Sequence, residues 1–157
     1  MSLDHAFLAR LEPLFAGDAP AWSDLLAALL ERFDCALGTV HVLDDADGLM
    51  HLVADTGLPP PVREKVQTVP IGKGMAGIAA ERRQPVQVCN LQTDASGVVR
   101  PGAKMTQMEG SIAVPMLDGD RLYGVLGVAK PVAYDFTADE TALLMAVGNR
   151  AARALRA

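Results

Sequence analysis

Two apolar runs, GSIAVPML (110–117) and RLYGVLGVAK (121–130), are separated only by Asp118, Gly119 and Asp120. Glycine and aspartate accept the backbone angles of a tight reversal, so this arrangement is the clearest hairpin signal in the chain. A second pair precedes it. LGTVHVL (37–43) and LMHLVAD (49–55) flank DDADG, whose composition is also that of a turn. If Leu43 faces Leu49, that register sets His41 opposite His51 on one face of the sheet.

Helical periodicity frames both hairpins. Leu3, Phe7, Leu8, Leu11 and Leu14 predict an amphipathic helix over residues 2–15, broken by Gly17, Asp18 and Pro20. Leu25, Leu26, Leu29 and Leu30 form the stripe of a second helix running to Phe33. The last helix begins at Thr137, with Glu140 three residues on completing a capping box, and Leu143, Leu144, Val147, Ala151 and Leu155 supply its buried stripe. Arg150, Arg153 and Arg156 suit the negative end of its dipole. Between the hairpins, TGLPPPVREKV (56–66) reads as a proline-rich turn entering a short helical or irregular piece, and PVQVCN (85–90) as a short strand. Residues 91–109 read as a long loop carrying one helix over 104–108, the kind of segment in which binding function sits. The order of elements predicts an α+β fold on an antiparallel sheet, with no internal repeat and no dividing linker.

At 157 residues, half of them hydrophobic and 21% charged, the chain suits one globular domain with a single core. Its formal charge of −5 argues against partners such as nucleic acid or anionic membranes, and 4% aromatic residues argue against a base-stacking surface. No apolar run is long enough to span a bilayer. The N-terminal MSLDHAFLAR is acidic where a secretory leader is basic, so a cytoplasmic location is expected. Cys35 and Cys89 lack C-x-x-C spacing and read as reduced, buried thiols.

VPIGKGMAGIAAERR (69–83) holds Gly72, Gly74 and Gly77 in the G-x-G-x-x-G spacing of a dinucleotide turn. Such a site also needs a parallel βαβ unit and an acidic residue ending the next strand. Here that strand ends in Cys89 and Asn90, and Pro70 suits a central strand poorly. The glycines therefore read as a tight turn followed by a short helix, over 75–82, that packs closely on the sheet.

Taken in order, PIGKGMAGIAA, QPVQVCNLQTD, SIAVPML, RLYGVLGV and FTADETALL resemble the GAF domain family. The resemblance runs from about Pro20 onward, with residues 1–19 as an N-terminal helix and candidate dimerisation element and 20–157 as the domain. It implies a profilin-like or PAS-like antiparallel sheet of five or six strands. Helices from the chain ends would cover one face, and a ligand pocket would lie on the other, beneath the excursion loops. It further implies a sensory module for a small molecule and a homodimer joined through the terminal helices. Members that bind cyclic nucleotides carry an Asn where Ala129 stands, so Lys130 and Asp139 are expected to form a structural ion pair instead. No Cys-His pair suits a covalent chromophore. The free methionine-(R)-sulfoxide reductases of this family carry a cysteine where this chain has Met75 and Ala76, and more in the segment where residues 91–109 have none. Only Cys89 lies near such a site.

Within that frame Met75, Met105, Met108 and Met116 are expected to enclose an apolar cavity, with Cys89, Lys104, Glu109 and Ser111 at its polar edge. Arg100 and Lys104 favour an anionic ligand. His41 and His51 make at most half a metal site, and Asp44, Asp45, Asp47 and Gly48 lack the closing glutamate of a calcium loop, so neither metal nor cofactor is indicated. The expected function is a small-molecule-binding sensory or regulatory GAF module that holds its ligand under the 91–109 loop. Two alternatives stand beside it: a thiol-dependent reductase of free methionine sulfoxide using Cys89, and a structural dimerisation domain without a ligand.

Overall fold

The computed structural model describes residues 3–99 and 101–156. The chain opens with α1 (His5–Leu11), whose first turn is capped by Asp4: its carboxylate accepts from the Phe7 amide at 3.0 Å. The helix expected over 2–15 is shorter than that. Pro13 has no N–H to continue the α ladder, and Glu12–Phe15 forms a 3-10 turn in which proline is tolerated. Then come α2 (Trp22–Phe33), β1 (Leu37–Asp44), β2 (Leu49–Thr56), α3 (Pro60–Lys65), β3 (Thr68–Pro70) and α4 (Gly74–Arg82). The chain continues through β4 (Val86–Val88), α5 (Pro101–Lys104), β5 (Ser111–Asp118) and β6 (Arg121–Ala129) to α6 (Ala138–Arg156). The capping box of α6 closes reciprocally: the Glu140 amide donates to Thr137 Oγ1 at 3.1 Å, and the Thr137 amide donates to Glu140 Oε1 at 2.9 Å.

The helix in the long loop lies upstream of the expected 104–108. Thr106 Oγ1 donates to the Ala103 carbonyl at 2.7 Å, and Gln107 sits in the left-handed region at φ 61°, which ends the turn before Met108.

The six strands form one antiparallel sheet in the order β3-β2-β1-β6-β5-β4. Pro70 is accommodated because β3 is an edge strand, where a missing ladder donor is harmless. In the first hairpin Leu43 pairs with Met50 and His41 with Leu52, one residue from the expected register. A one-residue shift sends every side chain to the opposite face, so His41 and His51 are not opposite each other.

Alternation then sorts the strands. Val40, Ile112, Val114, Leu126 and Val128 face a helical layer made by α1, α2 and α6, where Leu25, Leu26, Leu29, Leu144 and Val147 are fully buried. Each such leucine stabilises the fold by about 1.5–3 kcal/mol. Phe7, Leu11 and Phe15 belong to the same core, so the N-terminal segment packs onto the body of the fold. Met116 is buried in this layer too, away from the cavity side where it was expected.

Lys130, only 6% exposed, points its ammonium at the carbonyls of Phe33 and Asp34, where α2 ends with Asp34 in the left-handed region at φ 53°. The ring of Tyr134 lies 4.5 Å from the nitrogen. The expected ion pair between Lys130 and Asp139 does not form, because the helix carbonyls and two aromatic faces already solvate this charge.

Candidate functional site

The opposite face of the sheet is only partly filled, and a cavity of about 470 Å³ lies against it. Its floor is built by cross-strand neighbours: Leu37, Thr39 and His41 on β1, Gly127 and Ala129 on β6, and Ser111 on β5. Thr39 pairs directly with Gly127, and the absence of a side chain at Gly127 leaves room above the centre of the sheet. One wall is α3 and its flanks, through Leu58, Val62 and Val66, an apolar stripe at four-residue spacing. Leu91, Ala103 and Thr106 close the side contributed by the long loop.

The glycine segment makes the remaining wall. The Gly72 amide donates to the Gly77 carbonyl at 2.8 Å, and a Cβ at Gly77 would collide with the Pro70 carbonyl while standing 3.2 Å from the Gly72 nitrogen. Gly72 and Gly74 both have positive φ, 95° and 72°. The segment thus folds as a turn locked onto an antiparallel edge strand, and the dinucleotide geometry is absent here. Its consequence for the site is directional. Lys73, Gly74, Met75 and Ala76 line the cavity, so the N-terminus of α4 opens onto it, and no side chain caps that terminus.

The polar groups of the cavity are few. His41 is 3% exposed, and its Nε2 lies 2.8 Å from the Val66 carbonyl. A carbonyl only accepts, so Nε2 carries the proton and Nδ1 is left as an acceptor. Among the described residues Nδ1 has no hydrogen-bond partner, and the atom itself is buried rather than open to the cavity. Burial, chiefly, holds the imidazole below its usual pKa, against the raising effect of the Val66 bond, so the ring is neutral at pH 7. Thr39, Thr106 and Ser111 bring hydroxyls, and Lys65 and Lys73 bring cations from the two walls. Among the described residues no Asp or Glu lines the cavity, in a chain with 19 acidic and 14 basic residues.

Of the residues expected at the site, the structure brings Met75 and Ser111 to the cavity. Met108 packs behind it against the cluster of Leu37, Leu58, Val62 and Ala129. Met105 is 46% exposed, with its sulfur 3.7 Å from Lys65 Nζ, and Lys104 is exposed at the end of α5. Glu109 takes a hydrogen bond from Asn90 Nδ2 at 3.3 Å outside the cavity. Cys89 is exposed and also lies off the cavity; its carbonyl accepts from the Tyr134 amide. Arg100 falls outside the described residues. The buried-thiol expectation thus fails for Cys89, whose short strand ends at the sheet edge, while Cys35 is half-buried with its thiol pushed up to about 11 by desolvation. The groups that sequence reasoning missed are His41, Lys65, Lys73 and the α3 wall. For α3 the signal was present in the spacing of Leu58, Val62 and Val66, inside the proline-rich turn.

Outside the cavity, His51 Nε2 meets Asp47 Oδ2 at 2.7 Å, and Asp44 completes a group on the hairpin turn. Asp44 and Asp47 also accept backbone amides from Ala46 and Leu49, which accounts for their positions as turn residues.

An antiparallel sheet with helices from both chain ends on one face and a cavity on the other is the α+β architecture of GAF domains. The family model of the GAF domain matches residues 22–156, and the chain belongs to that family. Among solved structures, it is similar to the GAF domain of a phosphoenolpyruvate-protein phosphotransferase from Coxiella burnetii, with a TM-score of 0.80 at 19% identity over 96% of this chain and 91% of that one. A free methionine-R-sulfoxide reductase from Neisseria meningitidis, solved with its substrate, has a TM-score of 0.78 at 17% identity, covering 99% of this chain and 93% of its own. The reduced form of the Staphylococcus aureus enzyme gives 0.72 at 18% identity over 99% of both chains. At these identities the likeness is one of fold. A search of curated proteins finds no match to this sequence. No helix among the described residues is long and apolar enough to cross a membrane.

Proposed function

We infer that this GAF domain is a small-molecule-binding regulatory module whose ligand occupies the cavity between β1, α3 and the N-terminus of α4. The observation that carries this reading is a preformed, largely apolar space of about 470 Å³ edged by a few polar side chains, Thr39, Thr106 and Ser111 among them. The long loop contributes Leu91, Ala103 and Thr106, so its arrangement would respond to occupancy. The terminal helices pack on the far side of the same sheet, where α1 and α6 serve in this reading as the surface of a homodimer that transmits the change. Thiol catalysis gains no support from the placement of the cysteines, since neither lines the cavity.

Native mass spectrometry of the freshly purified protein tests the reading. A bound species of a few hundred daltons, released on denaturation, is the expected result. Purely unliganded protein whose melting temperature shifts with no member of a broad metabolite panel overturns it.

A further inference from the structure

We propose that His41 is a proton-operated latch on the cavity: its neutral ring holds the α3 wall shut, and a second proton on the ring releases that wall while the strands beneath stay folded. As a control on access, the latch rests on the ligand-binding reading above. Its test needs no ligand, so its failure leaves that reading standing.

The ring has one partner and no way to gain another while the wall is closed. Nε2 donates to the Val66 carbonyl at 2.8 Å, and Nδ1 is buried with no partner among the described residues. A second proton therefore goes to Nδ1, where it creates a cationic donor with nothing in the fold to accept from it. The surrounding elements supply no compensating charge. From β2 comes His51, whose positive charge opposes the proton. Lys65 on α3 and Lys73 before α4 line the same cavity, and no described carboxylate does. Arg63 on α3 is engaged with Asp55 on β2, Nη2 lying 2.9 Å from Oδ1, and Glu64 on α3 is exposed. Asp44, at the end of β1, accepts from the Ala46 amide in the hairpin turn. Glu81 on α4 lies over Gly72 and outside the lining. The three residues of β3, and those of β6 paired with β1, carry no titratable side chain. Water is then what solvates the charged ring, and the ring reaches it when Val66 moves away.

That movement is local because α3 is lightly attached. Val62 is the buried residue of α3, and it packs with Leu37, Leu58 and Ala129 in a cluster separate from the core under the helical layer. The other ties are the Leu52 amide on the Gln67 carbonyl at 2.9 Å and the Arg63–Asp55 pair, which water weakens. A segment that buries so little opens at a lower free energy than the central strands β1 and β6.

The sign and size of the response follow from linkage. Burial holds the closed ring below its ordinary pKa of 6.5, so falling pH favours the open form. A released ring with that ordinary pKa is protonated in about nine molecules of ten at pH 5.5 and about one in ten at pH 7.5. Acid therefore raises the open population by at most about tenfold over this interval.

The test is native-state hydrogen exchange on the whole chain, read by NMR at pH 7.5 and 5.5, with and without about 1 M urea, as protection relative to the intrinsic rate at each pH. The amides of Val66 and Leu52 donate to the Val62 and Gln67 carbonyls and report on the wall. At pH 7.5 they should be protected, but at least tenfold less than the β6 amides and with little response to urea. At pH 5.5 they should lose a further three- to tenfold. His41→Gln keeps an N–H donor for Val66 and takes up no proton, so protection of the wall should become insensitive to this pH change. His51→Gln should leave the acid response in place. If His41→Gln does not fold, the wild-type pattern still decides. Wall amides that are indifferent to acid overturn the latch. So do wall amides that exchange only together with β6 and with the same urea dependence, because the wall then opens only with the whole fold. An acid response that survives in folded His41→Gln, or disappears in His51→Gln, assigns the proton elsewhere and overturns it too. Wall amides already unprotected at pH 7.5 overturn it as well, since nothing is then held shut.

Discussion

The Nε2 of His41 on β1 lies 2.8 Å from the carbonyl oxygen of Val66, the residue that follows α3, so a single imidazole ties the floor of the cavity to its wall. The bond fixes the tautomer as well as the position. Nitrogen-detected NMR should show a neutral ring protonated on Nε2 at pH 7. A ring protonated on Nδ1 would contradict the arrangement.

The same burial makes stability depend on pH. The folded pKa of His41 lies below its ordinary 6.5, so as pH falls past that value the unfolded chain takes up the proton first. The stabilisation from neutral His41 is complete above about pH 6.5 and is lost as pH falls toward the folded pKa, at no more than about 1.4 kcal/mol per pH unit. His51 is the nearby group whose positive charge adds to this penalty. Urea unfolding of wild type and His41→Gln at pH 7.5 and 5.5 should show a steeper loss in the wild type. Asp4, Asp47 and Glu140, whose pKa values are lowered, act in a separate window. Their stabilisation is present above the ordinary carboxylate range and is lost only as pH falls through and below it.

Filling the cavity should separate binding from folding. Thr39 stands beside the bare Gly127, and Thr39→Phe would lay a ring over that glycine in the space a ligand needs. The variant is expected to hold its stability within about 1 kcal/mol, because aromatic residues suit a half-buried strand. Any thermal shift produced by a ligand should vanish. A ligand that stabilises Thr39→Phe as well as wild type does not sit in this cavity.

Gly77 and Gly48 offer a controlled comparison. Gly77→Ala drives a methyl into the Pro70 carbonyl, a collision with backbone that should cost about 2–3 kcal/mol. At Gly48 the φ is 71° and a Cβ meets open space, so Gly48→Ala carries only the left-handed penalty of about 1 kcal/mol. Denaturant midpoints in the reverse order would show that α4 does not depend on close approach to β3.

Lys130→Met should destabilise the fold by about 2 kcal/mol, since it strips a charged donor from the carbonyls ending α2. Asp139→Asn should change stability by no more than about 0.5 kcal/mol, because Asp139 is not the partner of Lys130. Comparable losses from both variants would restore the ion pair that the geometry denies.

The two thiols should also differ. Cys89 is exposed, whereas Cys35 is half-buried with a thiol raised to about 11, so alkylation at pH 7.5 should modify Cys89 at least tenfold faster. Faster labelling of Cys35 would mean that the end of α2 opens readily.

Which features were legible in the sequence follows from the range of the forces behind them. Turn chemistry at Asp118-Gly119-Asp120, the capping box of Thr137 and Glu140, and the leucine stripes of α2 and α6 are local, and each reads directly into an element. The glycines at 72, 74 and 77 likewise announced a turn and a closely packed helix. The N-terminal helix was overextended because Pro13 acts on the ladder only once a helix tries to pass it. Of the eight site residues expected from the sequence, Met75 and Ser111 reach the cavity. The others sit near it along the chain, yet Met108 turns to the packing behind α3 and Cys89 and Glu109 to the sheet edge and loop.

The resemblance to GAF domains implied which face the terminal helices cover and which face the cavity takes; by itself the sequence determined the α+β class, the two hairpins and the terminal helices. These follow from period, turn propensity and capping within a few residues of chain. Only the tertiary structure decided the hairpin register that parts His41 from His51, the bond between His41 and Val66, and the meeting of Lys65, Lys73 and the α4 terminus around one space. Those depend on a one-residue choice in pairing and on contacts between separate segments, 25 residues apart for His41 and Val66, and burial energy selects among such arrangements only for the whole fold at once.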